Sequence, residues 1–223
     1  MIKQEVKPGL EGVVVTDTNI SLVDGEKGEL IYRGYSAKDL AIKNEFEEVC
    51  YLLWYGNLPN KIEAENLKSQ MSKERELPLY VKDIIKNLPL EMDMMSVLRT
   101  CISALGTSEY SYKPTIEQAI VITSKIPTIL AYRFRYINNL PEIAPLNELS
   151  HVANYLYMLK GSNPKEAHVR TLNAYFILTM EHGMNASTFT ARVISSTESE
   201  IISAITGAIG AMKGPLHGGA PSE

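Results

Sequence analysis

The sequence predicts a mainly α-helical protein with a small β-hairpin arm at its N-terminus. Three observations lead there. Short β-branched segments occur only near the start of the chain. From Ser36 onward, apolar residues recur every three or four positions. The segment 198–213 is apolar nearly all round, the pattern of a buried central helix.

Residues 13–16 and 19–23 read as strands, 24–28 as a turn, and 30–32 as a returning strand. Ser36 is placed to cap a short helix, with Asp39 three residues later. Phe46, Val49, Cys50, Leu53 and Trp54 form one apolar face, and Gly56 with Leu58-Pro59 ends that helix. Asn60 with Glu63 opens the next, which runs to about residue 72. Further helices are predicted over 79–88, 93–105, 115–136, 148–160 and 165–180. Pro127 should kink the long one, because it lacks an amide donor and crowds the preceding turn. In the last helix Gly207 and Gly210 each cost about 1 kcal/mol against alanine, so close approach of another helix is expected there.

Composition excludes several classes. The 223 residues suffice for one large helical core, or for one domain plus part of a second. The net charge is −4, and the lysines and arginines are scattered, so no basic stripe suits nucleic acid. The four histidines and two cysteines are too dispersed for a metal module, and no metal is expected. Cys50 and Cys101 fall within apolar helical patterns and read as reduced core thiols, which fits a cytoplasmic compartment. Lys3, Glu5 and Lys7 interrupt any signal peptide, and the apolar stretch 201–212 is too short to span a membrane. The sequence stops just after a glycine-rich turn, which suggests a C-terminally truncated chain.

Two constellations could carry chemistry. The first is Gly214-Pro215-Leu216-His217-Gly218-Gly219, where proline and glycines hold a histidine in a tight turn expected to be exposed in a cleft. If a helix begins just after it, the helix dipole disfavours imidazolium, and a neutral imidazole can then donate a hydrogen bond to a forming enolate oxygen. A simple surface turn is the other reading. The second runs from Glu181 to Arg192, with His182, Asn185 and Ser187 within two turns and Gly183 at a helix break. Those groups either converge on an anion or merely cap the flanking helices. His151 and His168 lie in first turns of amphipathic helices and read as structural.

The string Glu181-His182-Gly183-Met184-Asn185-Ala186-Ser187-Thr188-Phe189-Thr190-Ala191-Arg192, with Gly214-Pro215-Leu216-His217-Gly218-Gly219-Ala220 downstream, resembles the citrate synthase family. The resemblance extends to 24–35, 47–59 and 154–161, in the family's order, with a short N-terminal region like the bacterial and archaeal forms. It implies a mostly helical homodimer that condenses acetyl-CoA, a substrate rather than a cofactor, with oxaloacetate and water. No cofactor, nucleic acid or membrane partner is implied. By position, His182 matches the histidine that binds oxaloacetate. His217 matches the one that hydrogen-bonds the thioester carbonyl while its methyl group loses a proton, and Ser187, with Asn185 nearby, supports it. The resemblance assigns residues 1–217 to the N-terminal part of the large domain, with 1–35 as a strand-containing arm, and 218–223 to the start of the small domain. The family's further histidine, arginines and proton-abstracting aspartate are not matched, so the chain alone is expected to be inactive. The rival readings are a 2-methylcitrate synthase using propionyl-CoA and a non-catalytic dimeric paralogue.

Overall fold

Asp24 closes the N-terminal turn by accepting hydrogen bonds from the Lys27 backbone N–H and from its Nζ, at 3.0 and 2.9 Å. The ammonium of Lys27 holds the Asp24 carboxyl below its usual range. In the computed structural model, which describes residues 14–218, this turn joins β1 (Ser21–Asp24) to β2 (Glu29–Tyr32) in antiparallel register, Ser21 opposite Tyr32. A short β3 (Tyr35–Ser36) completes a three-stranded sheet in the order β1-β2-β3. The expected strand at 13–16 does not form over its described part. Val14 is 85% exposed, and no neighbouring strand pairs with it among the described residues. Ser36 precedes α1 (Ala37–Lys43) but gives it no side-chain cap, because it belongs to β3, paired with Ile31.

Nine more helices follow among the described residues: α2 (Phe46–Tyr55), α3 (Lys61–Lys73), α4 (Leu79–Asn87), α5 (Met94–Ala104), α6 (Ile116–Ile137), α7 (His151–Lys160), α8 (Glu166–Leu178), α9 (Ala186–Ser195) and α10 (Ile201–Met212). Their ends follow local chemistry. Asn60 Oδ1 accepts from the N–H groups of Ile62 and Glu63, while Glu63 accepts from the Asn60 N–H. Gly56 leaves α2 in the left-handed region at φ +94°, as the sequence predicts. The 22-residue α6 is continuous through Pro127. Helix α7 starts three residues later than predicted, at His151, because Ser150 Oγ caps it and the Leu149 carbonyl is engaged by Arg75. Helix α9 forms where the sequence presents only a polar joint, with Asn185 as its cap.

The main core lies between α4, α5, α6 and α10, where Val81, Ile85, Val97, Ile102, Ile129 and Ile202 are fully or almost fully buried. Burying each such side chain contributes about 1.5–3 kcal/mol. A second cluster, with Tyr32, Leu40, Val49, Leu52 and Ile177, fastens the arm to α1, α2 and α8. Cys50 and Cys101 are buried free thiols, and burial raises both pKa values, Cys101 to about 11.

Three buried arginines stop chain segments rather than pairing with carboxylates. Arg75 donates to the carbonyls of Leu146 and Leu149. Arg133 donates to those of Ile85, Leu88, Pro89 and Leu90, closing the end of α4. Arg135 does the same for Met158 and Leu159 at the end of α7, and also donates to the Pro141 carbonyl after α6. A planar guanidinium fork suits this task because it carries five fixed donors.

The expectation of a fully buried α10 is corrected. Ile202, Ala204 and Ile209 are buried, but Ile201, Ile205 and Ala208 are half-buried and Met212 is 41% exposed. The helix packs on α9 and α5 through one face, and within this chain its other face has incomplete cover. Gly207 does permit a close approach, since a Cβ there would collide with Ile194 of α9. Gly210 does not, because its nearest neighbour is the Arg99 side chain at ordinary contact distance, 3.8 Å.

Candidate active site

The joint between α8 and α9 is built around Glu181. Its Oε1 accepts from Ser21 Oγ at 2.9 Å and from the Gly183 N–H at 2.5 Å. Its own N–H donates to the Tyr32 hydroxyl at 3.3 Å, and that hydroxyl donates to the Ile177 carbonyl at 2.9 Å. The arm is therefore the back wall of the His182 loop. Gly183, at φ +87°, makes the sharp turn that a side-chain-bearing residue adopts only with strain. His182 is exposed at this turn.

Asn185 ends the joint and caps α9, its Oδ1 accepting from the Thr188 N–H at 2.9 Å. The capping reading of this segment is therefore correct for Asn185. The residue does more, however, because its Nδ2 lies 3.2 Å from His182 Nε2 and its Oδ1 also accepts from Ser187 Oγ at 2.6 Å.

His217 arrives from the other side, on the turn after α10. Lys213 ties that turn to the start of α5, donating to Asp93 Oδ2 at 2.8 Å and Ser96 Oγ at 2.7 Å. This ammonium holds the Asp93 carboxyl well below the usual range, helped by the Ser96 N–H that Asp93 caps. The His217 N–H closes the turn on the Gly214 carbonyl at 3.0 Å. At Gly218 a Cβ would stand 2.5 Å from the Met212 carbonyl oxygen, so the loop folds back only because that position has no side chain. His217 Nε2 then reaches Ser187 Oγ at 2.9 Å. Ser187 is 5% exposed and His217 half-buried, not fully exposed as the sequence suggested. The helix expected after His217 lies outside the described residues, as does all but Gly218 of the segment 218–223.

All four predicted residues thus join in one hydrogen-bonded chain, His182–Asn185–Ser187–His217. The other two histidines stand apart. The His151 ring is buried against that of Phe46, centroids 4.6 Å apart, and the His151 backbone N–H donates to Glu47 Oε1 at 2.7 Å. Burial, then the nearby Arg75 charge, lowers its pKa to about 3. His168 is exposed, with Nδ1 3.1 Å from Lys160 Nζ. Sequence reasoning missed Glu181, Ser21, Tyr32 and Lys213. Only Glu181 carried a signal, its place beside His182 in the motif.

Among the described residues no cluster of histidine, cysteine and carboxylates could hold a metal ion, and no helix is long and apolar enough to cross a membrane. A groove of about 1120 Å³ lies between α1, α3, α8 and the segment leading into α7, bordered by Lys43, Lys68, Glu148 and Arg170, and includes none of the four site residues.

Residues 9–223 match the family model described as citrate synthase, C-terminal domain. The chain is 40% identical to the citrate synthase of Haloferax volcanii over 97% of its length and 59% of that protein's. It is 42% identical to a 2-methylcitrate synthase of Mycobacterium tuberculosis, over 98% of this chain and 56% of that one. Among solved structures, citrate synthase from Thermotoga maritima superposes with a TM-score of 0.89 at 44% identity, over 97% of this chain and 58% of that one. A ternary complex of the Thermoplasma acidophilum citrate synthase with carboxymethyl coenzyme A and oxaloacetate gives a TM-score of 0.91 at 33% identity, with the same coverage of 97% and 58%. The chain therefore spans a little under three fifths of the length of these relatives.

Proposed function

The chain belongs to the citrate synthase family, and from that premise we propose that its activity is the condensation of acetyl-CoA with oxaloacetate and water to citrate and free CoA. This is an acyl transfer in which the acyl group becomes an alkyl group. The observation that carries the reading is the 2.9 Å contact between His217 and Ser187, which joins two motifs 30 residues apart into one site.

In this proposal His182, on its exposed turn, binds oxaloacetate. His217 faces the thioester carbonyl of acetyl-CoA. A thioester methyl proton is weakly acidic, so negative charge on the enolate oxygen has to be stabilised as it forms, and a hydrogen-bond donor held at that oxygen does this. Ser187 and Asn185 hold the two histidines. We assign the aspartate that takes the proton, and the other groups that grip oxaloacetate, to the portion of the relatives that this chain does not span. Turnover is assigned to both portions together, and no cofactor is invoked.

Residues 1–217 are assigned to the large domain. The half-covered apolar face of α10 supports a homodimer, for which we expect an interface above roughly 2,000 Å² in total. Buried free thiols suit a reducing cytoplasmic setting.

The 2-methylcitrate synthase relative supports one second reading, with propionyl-CoA as acyl donor. Thiol release by the full-length protein, measured with acetyl-CoA and propionyl-CoA side by side, separates the two. Oxaloacetate-dependent release that is faster with acetyl-CoA is expected. Faster release with propionyl-CoA selects the second reading, and no release with either defeats both.

A further inference from the structure

Donor counting leaves one assignment of hydrogens in the site. The Thr188 N–H donates to the Asn185 side chain at 2.9 Å, so the accepting atom there is the amide oxygen. Ser187 Oγ lies 2.6 Å from that same oxygen, and the hydrogen between two oxygens is the serine's own. The hydroxyl is then spent. His217 Nε2, 2.9 Å from Ser187 Oγ, has to bring the hydrogen of that bond itself. On the other side Asn185 turns its amino group to His182 Nε2 at 3.2 Å, which makes that ring nitrogen the acceptor. One backbone N–H at the start of α9 thus sets the polarity of the whole chain.

We propose that Asn185 is a positioning residue that fixes the tautomers of both histidines in the ligand-free site, Nδ1–H for His182 and Nε2–H for His217. The assignment rests on geometry; its catalytic consequence rests on the reading given above. His182 is ready to donate from Nδ1 to a carbonyl or carboxylate oxygen. His217 is not, because its Nδ1 carries a lone pair while Ser187 faces Asn185. For a neutral His217 to donate to a thioester oxygen, Nε2 gives its proton to water and Nδ1 takes one from water. The Ser187 hydroxyl then turns from Asn185 to Nε2. The ring gains and loses one proton, so its charge is unchanged. Ser187 is the gate of this exchange, and Asn185 keeps it closed.

The test is long-range ¹H–¹⁵N spectroscopy of histidine-labelled protein without substrate, at a pH where titration shows both rings neutral. Each ring is assigned with a His→Gln variant. His217 is expected mainly as Nε2–H and His182 mainly as Nδ1–H. Asn185→Asp keeps the acceptor for Thr188 and Ser187 but presents an oxygen to His182. It should turn His182 to Nε2–H and leave His217 unchanged. Asn185→Ala frees the Ser187 hydroxyl, and the His217 tautomer ratio should move toward Nδ1–H by about five-fold or more. Circular dichroism confirms that the variants are folded. A wild-type His217 in the Nδ1–H form, or an Asn185→Asp protein whose His182 keeps its tautomer, overturns the proposal. Because no substrate is present, that result is independent of thiol release, whose failure would instead defeat the functional reading.

Discussion

The two ends of the molecule's polar chemistry are handled in opposite ways. Around α6, the guanidinium groups of Arg133 and Arg135 are buried and donate only to backbone carbonyls, at the ends of α4 and α7 and in the segment after α6. Where the α8–α9 joint meets the turn after α10, the side chains of His182, Asn185, Ser187 and His217 bond mainly to one another, with a single backbone N–H as anchor. The first arrangement spends side chains on the fold, since every orphan carbonyl at a helix end costs free energy if buried unpaired. The second leaves ring nitrogens available to a ligand. The difference teaches where a loss should appear. Damage around α6 should change stability and spare the chemistry of the folded molecules, and damage in the joint should do the reverse.

The sharpest way to break this comparison is Arg133→Met. It leaves four carbonyls at the end of α4 without their donor. We expect a loss of about 3–5 kcal/mol in urea unfolding, because several buried carbonyls each lose a charge-assisted donor. Arg133→Lys should recover little, because one ammonium cannot span the same fork. Turnover per folded molecule should be unchanged. The mirror experiment is His217→Ala in the full-length protein. Turnover should fall about 100- to 1,000-fold, or roughly 3–4 kcal/mol of transition-state stabilisation, while urea stability changes by less than about 1 kcal/mol. Oxaloacetate affinity should fall much less, that role being given to His182. A His217→Ala protein that unfolds as readily as Arg133→Met would merge the two regions and defeat the comparison.

The same contrast explains what the sequence could reveal. Helical period and caps are local, so the helices from α2 onward are legible, including the ends at Gly56 and Asn60, except α9, whose polar first turn hides its period. The four site residues were legible because they lie in two short, distinctive strings. Arg75 and Arg133 were not, since their partners lie more than 40 positions away and are carbonyls that any residue supplies. Residues 14–16 misled because β-branched side chains signal a strand whether or not a neighbour exists to pair with it. The full burial expected of α10 failed for a related reason. Apolar periodicity shows which surface avoids water but not which chain covers it.

His151 extends the comparison to pH. It is buried beside Arg75, and its pKa is lowered from 6.5 to about 3, by burial first and then by that charge. The folded state therefore holds the ring neutral, while the unfolded chain takes up a proton below about pH 6.5. Between these values the unfolded state binds more protons, so stability falls as pH falls, by up to about 1.4 kcal/mol per unit. Below pH 3 this contribution changes no further. His151→Phe keeps a ring against Phe46 and removes the titration. Urea midpoints measured from pH 7 to pH 4 should fall less steeply in the variant than in the wild type. Equal slopes would mean that another group governs acid unfolding.

The smallest expected effect tests the boundary between the two regions. Ser21, on β1, reaches across 160 positions to donate to Glu181 Oε1, the oxygen that also holds the Gly183 N–H. It touches neither histidine, yet it helps to fix the turn that presents His182. A single part-buried hydrogen bond of this kind contributes about 0.5–1.5 kcal/mol. If that energy goes into the fold, Ser21→Ala lowers the urea midpoint and leaves oxaloacetate binding alone. If it goes into the placement of His182, the midpoint barely moves and oxaloacetate affinity in the full-length protein falls by roughly two- to ten-fold. We expect the second outcome, because Tyr32 is fully buried and fastens the arm to α8 independently of Ser21. The His217 tautomer should be unaffected, since no described hydrogen bond links Glu181 to Asn185 or Ser187. A stability loss without a loss of affinity would assign the arm to the scaffold and confine the site to α9 and the turn after α10.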